Sequence, residues 1–347
     1  MILKDHPSTF VYCHHETIDA VKLLYFFLLC LLHLSICAQA QVDLVNLKSP
    51  KSITTIGYFS LNESKVYHVK HLNEKYKGQA KKPYSIENIE YDITIRVLDS
   101  TDTSYTMLMT YDNYSVKSNT QKDKYQLQQS FGEVVESFDI KFFTDEFGAF
   151  DSLQNIAELQ DTYLKLLDQI KEIMLENIKD KASKSELETV FTLLRQSAIN
   201  EDFIKLMFMD DISNLFSTYG IELTLNKPME FELLYPGLNG ITMDGSAEIL
   251  LKSIDKSRGI ASYSMTKKPD QESVKAYIES FASVFFGSNM DKGADFSDVR
   301  CSIKTKCEHS MSLSTGWMSK VKIQDNTTIT HDEKKIKHVE TWEYALQ

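Results

Sequence analysis

Few residues of this chain stand at spacings that chemistry uses. His68-Val-Lys-His71 has the H-x-x-H spacing of a metal pair, but an odd offset on a strand sends two side chains to opposite faces. Ser253-Ile-Asp-Lys256 matches the S-x-x-K of an acylated serine, yet the helix start and the two companion motifs of that nucleophile are missing. Asn289, Asp291, Asp295, Ser297 and Asp298 crowd one segment and offer oxygen ligands for Ca²⁺. Their spacing is not that of a calcium-binding helix–loop–helix, so a solvated acidic loop is expected. Asp210-Asp211 reads as a pair of helix-surface acids with no role beyond solubility. There is no G-x-S-x-G, no phosphate-binding glycine loop and no zinc-like Cys/His cluster, so no catalytic residue, metal or cofactor is expected. An enzyme would follow only if His309 and an acid shared an open pocket.

The elements that would carry these residues are mostly strands. Ile89, Tyr91, Ile93, Ile95 and Val97 alternate with polar residues, as do Tyr105, Met107, Met109 and Tyr111 after Asp99-Ser100-Thr101-Asp102. This period of two predicts a half-buried antiparallel hairpin. Tyr67, Val69 and the run Phe138, Ile140, Phe142 suggest further strands. From Ser152 to Asp180 the period changes: Ile156, Leu159, Tyr163, Leu166, Ile170 and Ile173 fall on one helical face. A second helix is expected from Ser185, which makes a capping box with Glu188, and a third from about Asn200 to a stop at Gly220. Strand patterns return at 229–235, 247–254 and 260–265, followed by a helix after Pro269-Asp270. The longest alternation runs from Val299 to Ser314, with Cys301, Ile303, Thr305, Cys307, His309, Met311 and Leu313 on one side. Turn residues Thr315-Gly316-Trp317 lead to strands through Val321 and Ile323 and from Ile336 to Tyr344.

That alternation bears on the cysteines. Cys301 and Cys307 share a strand face six residues, or about 20 Å, apart, while a disulfide needs Cα atoms within roughly 7 Å. Both are expected as buried free thiols. The supply of 17 Tyr, 19 Phe and 12 Met on strand and helix faces first suggests a core. The sharper reading is a concave face lined by Met107, Met109, His309, Met311 and Leu313, where adaptable methionines suit an acyl chain or similar lipid.

The 347 residues hold 49 acids against 38 bases, a net charge of −11, which excludes a general nucleic-acid binder. Residues 23–36, LLYFFLLCLLHLSI, carry no formal charge, follow Lys22 and precede Cys37-Ala38-Gln39-Ala40, the order of a secretory signal cleaved between Ala40 and Gln41. As a helix this run reaches about 21 Å, short of the roughly 30 Å hydrocarbon core, so a signal is favoured over an uncleaved N-terminal membrane anchor. Residues 1–20 are polar and fit no part of a signal, which makes Val21 a candidate start. The expected organisation is a doubtful extension at 1–20, a signal peptide at 21–40 and a mature domain at 41–347, with strands at 49–150, helices at 152–220 and strands plus one helix at 221–347.

Three phrases resemble those of exported bacterial proteins of unknown function: Thr144-Asp-Glu-Phe-Gly148 through Asn155, Leu225-Asn-Lys-Pro228 through Gly240, and Leu313-Ser-Thr-Gly316-Trp317. The overall plan is also similar to the lipoprotein-carrier (LolA-like) architecture, a strongly curved antiparallel sheet closed by helices. The resemblance implies an α+β fold: a curved, half-barrel-like antiparallel β-sheet from N- and C-terminal strand regions, with a central helical insertion packed against it. It carries over no catalytic residue. The expected function is an exported, non-enzymatic periplasmic or outer-membrane-associated protein of a Gram-negative bacterium, binding a lipid or other hydrophobic ligand. The alternative is an envelope structural or interaction protein with envelope-protein partners and no ligand cavity.

Overall fold

A computed structural model describes residues 51–119, 139–177, 181–236, 242–286, 299–331 and 334–347. The signal segment with Ala40 and Gln41, Phe138 and the oxygen-rich segment from Asn289 to Asp298 lie outside the described residues. The strands are β1 (Ser52–Thr54), β2 (Ser64–Lys77), β3 (Ser85–Ser100), β4 (Ser104–Ser118), β5 (Asp139–Asp145) and β6 (Phe150–Leu153), then β7 (Glu222–Thr224), β8 (Met229–Pro236), β9 (Thr242–Asp255) and β10 (Ile260–Pro269), and last β11 (Arg300–Ser312), β12 (Met318–His331) and β13 (Lys334–Leu346). Between β6 and β7 run helices α1 (Ile156–Asn177), α2 (Lys181–Ser197), α3 (Glu201–Phe208) and α4 (Asp210–Phe216). Helix α5 (Gln271–Phe286) separates β10 from β11.

Eleven strands form one antiparallel sheet in the order β6-β5-β4-β3-β2-β13-β12-β11-β10-β9-β8, and β1 pairs with β7 in a small second sheet. The N-terminal and C-terminal strand regions are therefore one surface, joined where β2 pairs with β13 through Trp342↔His71. Edge strands β6 and β8 do not pair with each other, so the sheet is open. Edge strand β8 ends at Pro236.

Period two produces these strands and decides their faces. On β11, Cys301, Thr305, Cys307, His309 and Met311 are buried while Arg300, Ser302, Lys306 and Glu308 are exposed. On β3 and β4, Ile93, Ile95, Val97, Met107 and Met109 are fully buried. The hairpin between β3 and β4 forms as its alternation predicts, with Ile95 opposite Met109. Cys301 and Cys307 are free and buried, and burial pushes their thiols up to about 12 and about 11.

The helices differ in detail from their sequence signals. Helix α1 buries Leu159, Tyr163 and Leu166, and Asn155 just before it ties its start to β5: the side-chain oxygen accepts from the Lys141 N–H at 2.9 Å and the amide donates to the Asp139 carbonyl at 2.8 Å. Helix α2 begins at Lys181, so Ser185 lies inside it and makes no capping box. Helix α3 starts beside Asn200, as expected, and Asn200 caps it through the Asp202 N–H, but the helix breaks at Met209 and restarts as α4. Gly220, at φ +79°, ends the helical region in a conformation that L side chains rarely adopt. Of the helices, α4 meets β12 and β6, α5 meets β9 and β11, and α1 packs on α2 and α3.

Candidate functional site: the buried face of the sheet

The apolar end of the buried face is built around Phe59. Its ring lies 5.2 Å from Tyr105 on β4, 6.2 Å from Phe216 on α4, 5.7 Å from Tyr219 and 4.4 Å from Trp317, between β11 and β12. The chain can pass this close only because Gly316 has no side chain; a Cβ there would sit 2.0 Å from the Ile56 carbonyl oxygen. Tyr219 closes the joint by donating its hydroxyl to the Gly316 carbonyl at 2.7 Å.

Beside this cluster Asp211 on α4 accepts three tyrosine hydroxyls. Tyr344 on β13 donates at 2.6 Å, Tyr91 on β3 at 3.0 Å and Tyr111 on β4 at 3.1 Å, while Asn214 donates to the Tyr344 hydroxyl at 2.8 Å. Asp211 is 8% exposed. Burial raises its carboxyl, opposed by the three hydroxyls and His71, and burial beside it raises the tyrosines well above their ordinary value. The carboxylate is satisfied at both oxygens, so the arrangement fastens α4 to three strands. It overturns the expectation of a surface acid: sequence spacing placed Asp211 on a helix surface, and that surface faces the sheet.

A polar row crosses the middle of the same face. Lys267, Thr305, Asp325, Glu340 and Asn73 stand directly opposite one another on β10, β11, β12, β13 and β2. One step along the strands, the parallel row Met265, Cys307, Ile323, Trp342 and His71 is largely apolar. Glu340, 3% exposed, receives the Asn73 amide at 3.3 Å and stands 3.3 Å from His71 Nε2. His338 Nε2 donates to Asn73 Oδ1 at 2.6 Å, which fixes its tautomer, and the His71 ring stacks flat on Trp342 at 4.4 Å. These contacts tie β2 to β13 by side chains as well as by backbone.

At the β8–β11 end the polar groups are less well matched. Lys267 is 6% exposed, yet no carboxylate among the described residues stands within 4 Å of its ammonium. The Tyr235 hydroxyl, on a residue 4% exposed, has no hydrogen-bond partner. Its ring crosses β9 over Gly245, where a Cβ would meet Tyr235 Cε2 at 2.3 Å. Burial raises the Tyr235 hydroxyl, helped by the negative charge of Asp325. His309 stacks on its cross-strand neighbour Tyr263 at 4.8 Å and 9°. Burial, then the positive charge of Lys267, pushes the imidazole down to about 3 against a hydrogen bond with the Asn214 backbone, so His309 is neutral, and its Nδ1 has no partner.

Of the residues expected to line a ligand cavity, Met107, Met109, His309 and Met311 are on the buried face and at most 3% exposed. Leu313 is half-buried, and its N–H donates to the Gly259 carbonyl at 2.8 Å. Met107 and Met109 on β4 and His309 and Met311 on β11 are separated by four strands in sheet order. His68 and His71 point to opposite faces, as their odd offset requires: His68 Nδ1 pairs with Asp92 at 2.8 Å, away from Glu340. Ser253 and Lys256 fall at the end of a strand, not at a helix start. Among the described residues no three His, Cys, Asp or Glu side chains are grouped to hold a metal ion, and no helix is long and apolar enough to cross a membrane.

No protein-family model and no curated protein matches the chain. Among solved structures it is similar to one described as lipid–protein interactions in lipovitellin, at 9% identity and a TM-score of 0.40, over 83% of this chain. The chain spans about a quarter, 25%, of that lipovitellin chain. It is also similar to OccK5 (OpdH) of Pseudomonas aeruginosa, at 7% identity over 84% of this chain and 99% of that one, with a TM-score of 0.19. The β domain of the Bordetella autotransporter BrkA gives 5% identity over 81% and 98%, with a TM-score of 0.17. At these TM-scores none of the three decides fold or function.

Proposed function

We propose that this chain is an exported, non-enzymatic protein of the bacterial envelope that holds a hydrophobic ligand against the concave face of a curved, half-barrel-like sheet. The observation that carries the curvature is Phe59. In a flat sheet β4 and β12 lie four strand spacings, about 19 Å, apart. Yet Tyr105 of β4 and Trp317, one residue before β12, both reach the same ring, at 5.2 and 4.4 Å. Convergence of Tyr91, Tyr111 and Tyr344 from β3, β4 and β13 on one carboxylate supports the same bend. A concave apolar face crossed by a polar row suits a ligand with an apolar body and a polar end. Export rests on the signal-like run before Gln41.

Full burial of Met107, Met109 and Met311 favours a second reading, an envelope structural or interaction protein whose apolar face is all core. Native mass spectrometry of protein purified gently from its envelope separates the two. A co-purifying lipid mass is expected; apo protein alone supports the structural reading.

A further inference from the structure

Resting on that binding reading, we propose that Lys267 and Tyr235 hold the carboxylate of a fatty-acid-like monoanion, with its chain laid along the apolar rows of β8 to β11. Two groups carry the assignment. Lys267, 6% exposed, is the most buried Lys or Arg among the described residues, and with no carboxylate within 4 Å its ammonium offers an arriving anion a cation without a counter-ion. The Tyr235 hydroxyl is the second: a donor more than nine-tenths buried, with no partner.

Register brings the two together. Gly245 stands opposite Pro269 on β10, two residues from Lys267 and on its face, about 7 Å along the strand. The Tyr235 ring lies on Gly245, where a Cβ would also come within 2.8 Å of Pro269 Cα, so the absent side chain lets the ring reach β10. Both groups also bear on Cys307: Lys267 lowers its thiol, and Cys307 in turn is one of the charges that raise Tyr235.

Charge selects the headgroup. One cation balances one negative charge, and Asp325 and Glu340 stand two and three strands from Lys267 in the same row. A dianionic phosphate would meet both carboxylates with one lysine to offset them, whereas a carboxylate brings a single charge. The flanking Met265, Ile249 and Leu251, all buried on β9 and β10, supply the apolar surface for the chain.

The test is equilibrium binding of dodecanoate, dodecanol and dodecyl phosphate to the full chain and to Lys267→Met and Tyr235→Phe, with a thermal melt of each variant. Lys267→Met is expected to weaken dodecanoate about 30-fold or more while dodecanol changes less than twofold. Tyr235→Phe is expected to weaken dodecanoate about fivefold. Equal affinity of parent and Lys267→Met for dodecanoate would overturn the assignment while leaving hydrophobic binding intact. Dodecyl phosphate binding more tightly than dodecanoate would overturn the carboxylate. Failure of all three probes to bind the parent would overturn the binding reading itself. Lys267→Met is expected to melt no lower than the parent, so lost binding would not be lost folding.

Discussion

The two ends of the buried face treat polar groups in opposite ways. At the β2–β4 end a carboxylate is buried with both oxygens satisfied: Asp211 takes three hydroxyls, and an asparagine supports one of them. At the β8–β11 end a buried hydroxyl has no partner, and a lysine with a mostly buried side chain has no carboxylate within 4 Å. A satisfied buried cluster specifies one arrangement of elements and offers nothing to a ligand. An unsatisfied one destabilises the protein that keeps it, and the simplest reason to keep it is a partner that arrives later. The comparison thus separates a fastener from a site within one sheet, where composition alone makes the two ends look alike.

Substitutions can break this contrast, and the largest effect is expected at the aromatic cluster beside the fastener. Phe59→Ala removes the ring on which four aromatic side chains converge and should cost about 3–5 kcal/mol in urea denaturation. Asp211→Ala should cost about 3 kcal/mol, because three tyrosine hydroxyls lose their acceptor, while Asp211→Asn, which keeps an oxygen, should cost less.

The pH dependence sharpens the contrast. His309 is depressed to about 3 in the folded protein, so its contribution is fully present above its ordinary value near 6.5. That contribution is lost as pH falls from there toward about 3, at up to ~1.4 kcal/mol per pH unit. Asp211 acts in the opposite sense. Its raised carboxyl favours the folded state as pH falls through its folded value toward 3.8. Unfolding free energies of His309→Gln should therefore fall less steeply with acid than those of the parent.

Lys267→Met should not lower stability as Asp211→Ala does: an apolar side chain of similar length replaces the mostly buried stem, for a change of less than about 1 kcal/mol. The smallest effect belongs to the outer face, where Lys322 pairs with Glu343 at 2.6 Å in partly exposed surroundings. Lys322→Ala there should change stability by less than about 0.5 kcal/mol.

Much of the sheet was legible because period two is local. The alternation of β11 gave its length to within two residues at either end, its buried side and the separation of its two thiols. The fastener was not legible. Asp211 meets Tyr91, Tyr111 and Tyr344 across 100 to 133 residues of chain, and a lone acid on a helix gives no hint of which surface the helix presents to a sheet. The false capping box at Ser185 has a related cause: a helix already running from Lys181 does not need a start signal four residues on. The Lys267 site lies between these cases. Ala261, Tyr263, Met265 and Lys267 share one parity, but the strand expected at 260–265 stops two residues short of Lys267, which the full strand carries to the buried side. Glu340 stands in the same relation to His338, Trp342 and Tyr344. A charged residue that keeps the parity of an apolar series is the usable signal.

The contrast between fastener and site is tested most directly by native mass spectrometry of the parent and of Lys267→Met, each purified gently from the cells that express it. The account predicts that the parent carries an added mass that leaves on collisional activation as a fatty-acid-like anion, and that Lys267→Met, folded and at least as stable, does not. The same added mass on both proteins, or on neither, would contradict it.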